Sequence, residues 1–99
     1  MYRIRFARDV HGDLKGLRAH DRKIVVDAIE QNLIDQPTTV TRNRKPLTSL
    51  VPPWTAEPPV WELRIGDYRV FDDVAEDENI VYVRAVRKKP RGRTTEEIL

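Results

Sequence analysis

Residues 61–70 read Trp-Glu-Leu-Arg-Ile-Gly-Asp-Tyr-Arg-Val (WELRIGDYRV), and this stretch decides the fold. Gly66-Asp67 has the composition of a two-residue hairpin loop, because glycine at the first central position suits a type II′ turn. Pairing outward from that turn sets Ile65 opposite Tyr68, Arg64 opposite Arg69 and Leu63 opposite Val70. Two arginines then share one face, although like charges directly opposite each other destabilise a sheet. An anion held between them offsets the repulsion, and a guanidinium fork matches a phosphate bidentately.

Outward from the hairpin, strand-like runs cover about 59–65, 68–75 and 79–88, with the polar link Glu76-Asp77-Glu78-Asn79 as a turn. The N-terminus alternates Tyr2, Ile4 and Phe6 with arginines, the period of a half-buried strand. Leu14 and Leu17, then Ile24, Val25, Ala28, Ile29 and Leu33, fall at helical spacings. They predict a short helix near 10–19, a break near His20-Asp21 with Asp21 as N-cap, and a longer helix to about Asp35, stopped by Pro37. Thr94 followed by Glu97 is a capping box and predicts one helical turn at the C-terminus. Residues 37–59 are polar and proline-rich and read as a long irregular loop, a length that is often functional in a small domain.

The whole chain, 1–99, is therefore expected to be a single α+β domain. An N-terminal strand and an α-helical hairpin precede a three-stranded antiparallel meander that completes a four-stranded sheet, and a short helix closes the chain. Leu63, Ile65, Tyr68, Val70 and Trp61 should face the helices. Glu62, Arg64, Arg69 and Phe71 should lie on a face left open.

Composition narrows the function. The chain is 39% hydrophobic and 34% charged, the balance of a globular domain, and it lacks cysteine, which excludes disulfides and thiolate metal sites. No apolar run approaches the roughly 20 residues of a membrane span, so no membrane partner and a cytoplasmic location are expected. His11 and His20 have no metal-ligand spacing, and the lone Ser49 has no nucleophile-elbow context. No glycine-rich phosphate loop is present, so neither a metal nor a cofactor is expected. The acids of residues 72–78 read as a solvated turn. Residues 84–93 hold six cations and no acid. With Arg64, Arg69, Arg44 and Lys45 they form the electrostatic footprint of a nucleic-acid binder.

The segment LRIGDYRVFDDVAEDENIVYVRAVRKK, together with LKGL near the first helix and RKPL before the hairpin, resembles the RelE/ParE superfamily of bacterial toxins. The likeness runs from Tyr2 to about Lys89. Those toxins belong to type II toxin–antitoxin pairs. RelE-like members cleave mRNA in the ribosomal A site, and ParE-like members poison DNA gyrase. The resemblance implies Arg69 as one catalytic cation and Lys89, or its neighbours Lys88 and Arg87, as the other, with Glu62 as a base or an ion-pair partner of Arg64 or Arg69. Arg64, Arg44, Lys45, Arg84, Arg87, Lys88 and Arg91 are the phosphate-binding candidates. It also implies an antitoxin encoded by an adjacent gene, for which Trp54 and Phe71 are the apolar anchors, and the ribosome with its mRNA as target. The RNA-cleaving pattern has two lysines where this chain has Val60 and Glu62, and a C-terminal tyrosine where it has Thr95. A metal-independent endoribonuclease is the first expectation. A gyrase poison and an inactive, antitoxin-bound module stay open beside it.

Overall fold

A computed structural model describes residues 1–48, 51–54 and 58–99, with the side chain of Glu96 excepted; Ser49 lies outside the described residues. The element order is β1 (Arg3–Phe6), α1 (Arg8–Lys15), α2 (Ala19–Leu33), β2 (Arg44–Leu47), β3 (Val60–Ile65), β4 (Tyr68–Ala75), β5 (Ile80–Lys88) and α3 (Thr95–Ile98). The strands form one mixed sheet in the order β1-β5-β4-β3-β2, with β1 parallel to β5 and every other neighbouring pair antiparallel. None of the described helices is long and apolar enough to cross a membrane.

The hairpin has the register read from its sequence: Ile65 opposite Tyr68, Arg64 opposite Arg69 and Leu63 opposite Val70. Gly66 has φ of +56° while Asp67 keeps an ordinary negative φ, the pattern of a type II′ turn. A two-residue turn with this twist allows one register only, so the faces of β3 and β4 follow from it.

The sheet has five strands, not four. β2 lies inside the segment read as irregular, pairing antiparallel with β3 so that Arg44 faces Leu63 and Leu47 faces Val60. Pro46 masks it in the sequence, since proline in a strand is tolerated only at an edge, and β2 is an edge. The helix break also moves. α1 ends at Lys15, and α2 already begins at Ala19 with Arg18 as N-cap. Asp21 is therefore not the cap. It sits in the first turn, where a carboxylate complements the positive end of the helix dipole, and it accepts the Tyr68 hydroxyl at 3.0 Å. Arg22 clasps the two helices by donating to the carbonyls of Leu14 (2.9 Å) and Leu17 (3.0 Å).

A β-bulge divides β5. Phe71 faces Ala85 while Asp72 faces Val83, so β5 carries one residue more than β4 there, Arg84. Strict alternation would turn Ala85 toward the helices. The extra residue turns Val86 there instead, beside Val81 and Val83. These valines join Leu63, Val70, Val10, Val25, Ile29 and Leu33 in the main core. Ile65 and Tyr68, expected inside, are half-buried at its margin.

The face expected to be open is largely covered. Val60, Phe71 and Ala85 form a second core under Leu47, Trp54, Ile98 and Leu99. Glu62 and Arg69 on that face are buried, and Phe71 is fully buried. The returning C-terminal tail causes this, a long-range contact that no local period encodes.

The acids of residues 72–78 divide in the same way. Glu76, Asp77 and Glu78 are exposed in a 3-10 turn that ends at Asn79 with φ of +56°. Asp72 and Asp73 are buried. Asp72 receives a two-pronged bond from Arg44, Nη1 to Oδ2 at 2.7 Å and Nη2 to Oδ1 at 2.6 Å. Arg44 is itself 2% exposed, donates Nε to the Pro37 carbonyl at 2.7 Å and stacks 4.8 Å from the Trp61 ring. Trp61 is buried, as expected.

Burial pushes the Asp72 carboxyl up to about 6, against the opposing pull of Arg44 and with Asp73 adding to the rise. Two outcomes are expected. Arg44→Met strands a buried carboxylate and lowers the unfolding free energy in urea by about 3–5 kcal/mol, while Arg44→Met/Asp72→Leu recovers most of the loss. In the window between Asp72's ordinary value of 3.8 and its folded value of about 6, the folded state retains a proton that the unfolded chain has lost. This group's contribution to stability therefore falls as pH rises through that window and is level above it. The difference in urea midpoint between wild type and Asp72→Asn, followed against pH, isolates this slope from those of the other carboxylates.

Candidate anion-binding cleft

At the end of the sheet where the β3–β4 turn meets the C-terminal end of β5, the chain encloses a cleft of about 360 Å³. Its wall includes Arg69, Lys88, Lys89, Arg91 and Arg93, with Asp67 the acid among them. Three local features build it. The Lys89 N–H donates to the Asp67 carbonyl at 2.7 Å, fastening the end of β5 to the hairpin turn. The tail then reverses at Pro90–Arg93, where Gly92 has φ of +83° and the Arg93 N–H reaches the Pro90 carbonyl at 3.2 Å. That left-handed position needs glycine. Finally the capping box forms as read: the Thr94 hydroxyl accepts the Glu97 N–H, and the Glu97 carboxylate accepts the Thr94 N–H at 3.2 Å.

Arg69 is the deepest cation of the cleft, at 8% exposure. Its Nη1 donates to the carbonyls of Gly66 (2.8 Å) and Tyr68 (2.9 Å), while its buried Nε has no acceptor. Burial, and then the neighbouring Arg64, lower its pKa; Glu62 and Asp67 oppose that shift. An anion in the cleft would offset the repulsion between Arg69 and Arg64.

The structure brings together Arg69, Lys88, Lys89 and Arg91 of the residues singled out in the sequence. The others are elsewhere. Arg64, exposed and opposite Arg69, lines a separate hollow with Arg42 and Asn43 beyond the hairpin. Lys45 is exposed on edge strand β2, opposite Glu62. Arg44 is consumed by Asp72 in the core, so it is not an anion ligand. Arg84 is paired with Asp73 and stacked 4.7 Å from the Tyr82 ring, and Arg87 is bound to Asp13 at 2.8 Å. Glu62 is 3% exposed and accepts the Thr95 hydroxyl at 2.9 Å, beneath the tail and outside the cleft. Phe71 lies under Trp54, whose half-buried ring is 5.9 Å away with its indole Nε1 unpaired. Of the two aromatic anchors expected for a partner, only Trp54 is partly accessible.

Sequence reasoning missed Asp67, read only as a turn residue, and Arg93, whose place in the basic run was visible but whose turn back to the cleft was not. It also missed that Arg87 faces Arg69, which makes a row of three arginines, Arg87–Arg69–Arg64, across β5, β4 and β3. His11 and His20 are exposed.

Comparison with known proteins places this architecture. No curated protein sequence matches. Among solved structures, the RelBE2 toxin–antitoxin complex of Mycobacterium tuberculosis superposes with a TM-score of 0.69 at 24% identity, covering 89% of this chain and 98% of that one. The archaeal RelE–RelB complex of Pyrococcus horikoshii OT3 gives 0.64 at 22%, covering 94% and 98%. The isolated Escherichia coli RelE toxin gives 0.67 at 16%, covering 98% and 94%. At these identities the likeness is one of fold. A family model described as the ParE toxin of the type II toxin–antitoxin system parDE matches residues 4–91. The chain belongs to this RelE/ParE family, and it is a toxin of a type II toxin–antitoxin system.

Proposed function

We propose that the toxin arrests growth as a metal-independent endoribonuclease that cuts mRNA on ribosomes, with the scissile phosphodiester seated in the Arg69 cleft. One observation carries this reading: Arg69, bonded to backbone carbonyls and to no carboxylate among the described residues, lines a cleft that also gathers Lys88, Lys89, Arg91 and Arg93. The RNA 2′-hydroxyl gives up its proton to solvent water as its oxygen attacks the adjacent phosphorus, the bond to the 5′-oxygen breaks, and a 2′,3′-cyclic phosphate forms. Arg69 takes the charge that grows on the non-bridging oxygens, where a preorganised donor is worth most. Lys89 or Lys88 delivers a proton to the leaving 5′-oxygen. Arg91 holds a flanking phosphate, while Arg93 stays paired with Glu97 at the cleft wall.

Glu62 is not the base in this scheme, because Thr95 holds it under the tail. The cleft thus supplies charge stabilisation more than proton abstraction. Dependence on the ribosome follows, since the ribosome aligns the 2′-hydroxyl with the leaving oxygen. A ribosomal target also places the toxin in the cytoplasm.

A second reading, a gyrase poison that needs no catalytic set, is supported by the family model being the ParE one and by the withdrawal of Glu62 from the cleft. In either case the partner is an antitoxin from an adjacent gene. Solved relatives described as toxin–antitoxin complexes support this. Trp54 is the side chain offered to it, with Phe71 reachable only when Trp54 or the tail moves.

In a purified translation system, wild-type protein is expected to shorten mRNA only when ribosomes are present. Arg69→Ala should slow cleavage about 10²–10³-fold, the cost of removing one preorganised donor to a developing oxyanion. The same substitution should relieve growth arrest on induction. Intact mRNA on toxin-loaded ribosomes, together with gyrase-linked DNA breaks in induced cells, overturns the RNA reading in favour of the second.

A further inference from the structure

β1 accompanies β5 only as far as the pair Phe6–Val83, and the last bond on that side is Ala7 N–H to the Val83 carbonyl at 2.8 Å. Beyond it this edge of β5 has no strand neighbour among the described residues, and an unpaired edge leaves its N–H and C=O groups unsatisfied. α1 stands in the gap. Asp13, on its last turn, presents Oδ2 to both the Val86 N–H (3.1 Å) and Arg87 Nη1 (2.8 Å). The same nitrogen of Arg87 also donates to the Val86 carbonyl at 3.1 Å. Arg87 faces Arg69 across the strand pair, and residues so paired point to one face. Yet Arg87 is not in the wall of the cleft. Its guanidinium is drawn sideways to the strand edge, two residues before Lys89.

We propose that Asp13 is a positioning residue for the cleft: it closes the edge of β5 and withdraws Arg87 from the arginine row, leaving Arg69 to meet the bound phosphate. The proposal rests on the reading of the cleft as a phosphodiester site. Asp13 thereby sets the number of cations the cleft presents. Neutralising it frees Arg87 to turn toward Arg69 and join the anion.

The test is a titration of the full chain with inorganic pyrophosphate, followed through the arginine Nε–Hε signals in NMR. In the wild type the Arg69 signal shifts and the Arg87 signal stays. In Asp13→Asn, whose amide oxygen retains an acceptor for the Val86 N–H, the Arg87 signal shifts as well. Pyrophosphate affinity then rises about three- to tenfold, the gain of one more charge-assisted contact. Asp13→Glu, which keeps the charge, retains the wild-type pattern, and Asp13→Asn/Arg87→Gln returns the affinity to the wild-type value. Arg87→Gln alone changes affinity by less than about twofold, a result that does not need the Asp13 variants to fold. The proposal is overturned if Arg87 responds to pyrophosphate in the wild type. It is overturned equally if Arg87 stays silent in Asp13→Asn, or if Arg87→Gln alone costs much affinity. Should Arg69 be silent in every variant, the phosphodiester reading of the cleft falls first; should Arg69 respond and only Arg87 disobey, the Asp13 proposal falls alone.

Discussion

The fork between Arg44 and Asp72 is the interaction on which the sheet depends. A carboxylate with no exposure in the middle of β4 is tolerable only with a partner, and the partner comes from a strand 28 residues away in sequence. Arg44 in turn anchors the Pro37 carbonyl and stacks on Trp61, so one guanidinium ties the exit of α2, strand β2 and the centre of the sheet together. Without it β2 would be a short edge strand containing a proline, with little to hold it. With it, β3 becomes an interior strand and the hairpin that carries Arg69 is braced on both sides.

The charged residues sort by what each one meets. Arg44, Arg84 and Arg87 pair with Asp72, Asp73 and Asp13, and these pairs are architecture. Among the described residues Arg69 bonds backbone carbonyls and no carboxylate, and it opens into the cleft with Lys88, Lys89 and Arg91. The basic run of residues 84–93 is therefore two things in succession: a strand whose arginines are held by acids, and a tail that turns Arg91 and Arg93 back to the cleft, Arg93 while paired with Glu97 at 3.0 Å. The bulge at Phe71/Asp72 gives the strand part its shape, and the Gly92 turn gives the tail part its direction.

Much of this was legible in the residues. The hairpin register follows from one glycine and a period of two, and the capping box at Thr94 follows from two residues three apart. What escaped shares one physical cause, which is that it depends on contacts remote in sequence. β2 hides behind Pro46 because local propensity does not register an edge position. Glu62 and Phe71 look open until α3 folds back over them. Arg44 and Arg87 look like phosphate ligands until Asp72 and Asp13 arrive from distant elements. Asp21 looks like a cap because its residue type is right, yet the backbone enters the helix earlier. Family resemblance supplied the fold, but it could not show which arginines were already paired.

If the Arg69 cleft stabilises attack by an RNA 2′-oxygen, removing that oxygen from the substrate must abolish the cut. A message carrying a single 2′-deoxynucleotide at the mapped cut position is loaded on ribosomes, incubated with the protein and read by primer extension. The cut at that position should disappear, while an all-ribose message is cut there and ends in a 2′,3′-cyclic phosphate. Cleavage that persists at the deoxynucleotide would contradict that mechanism.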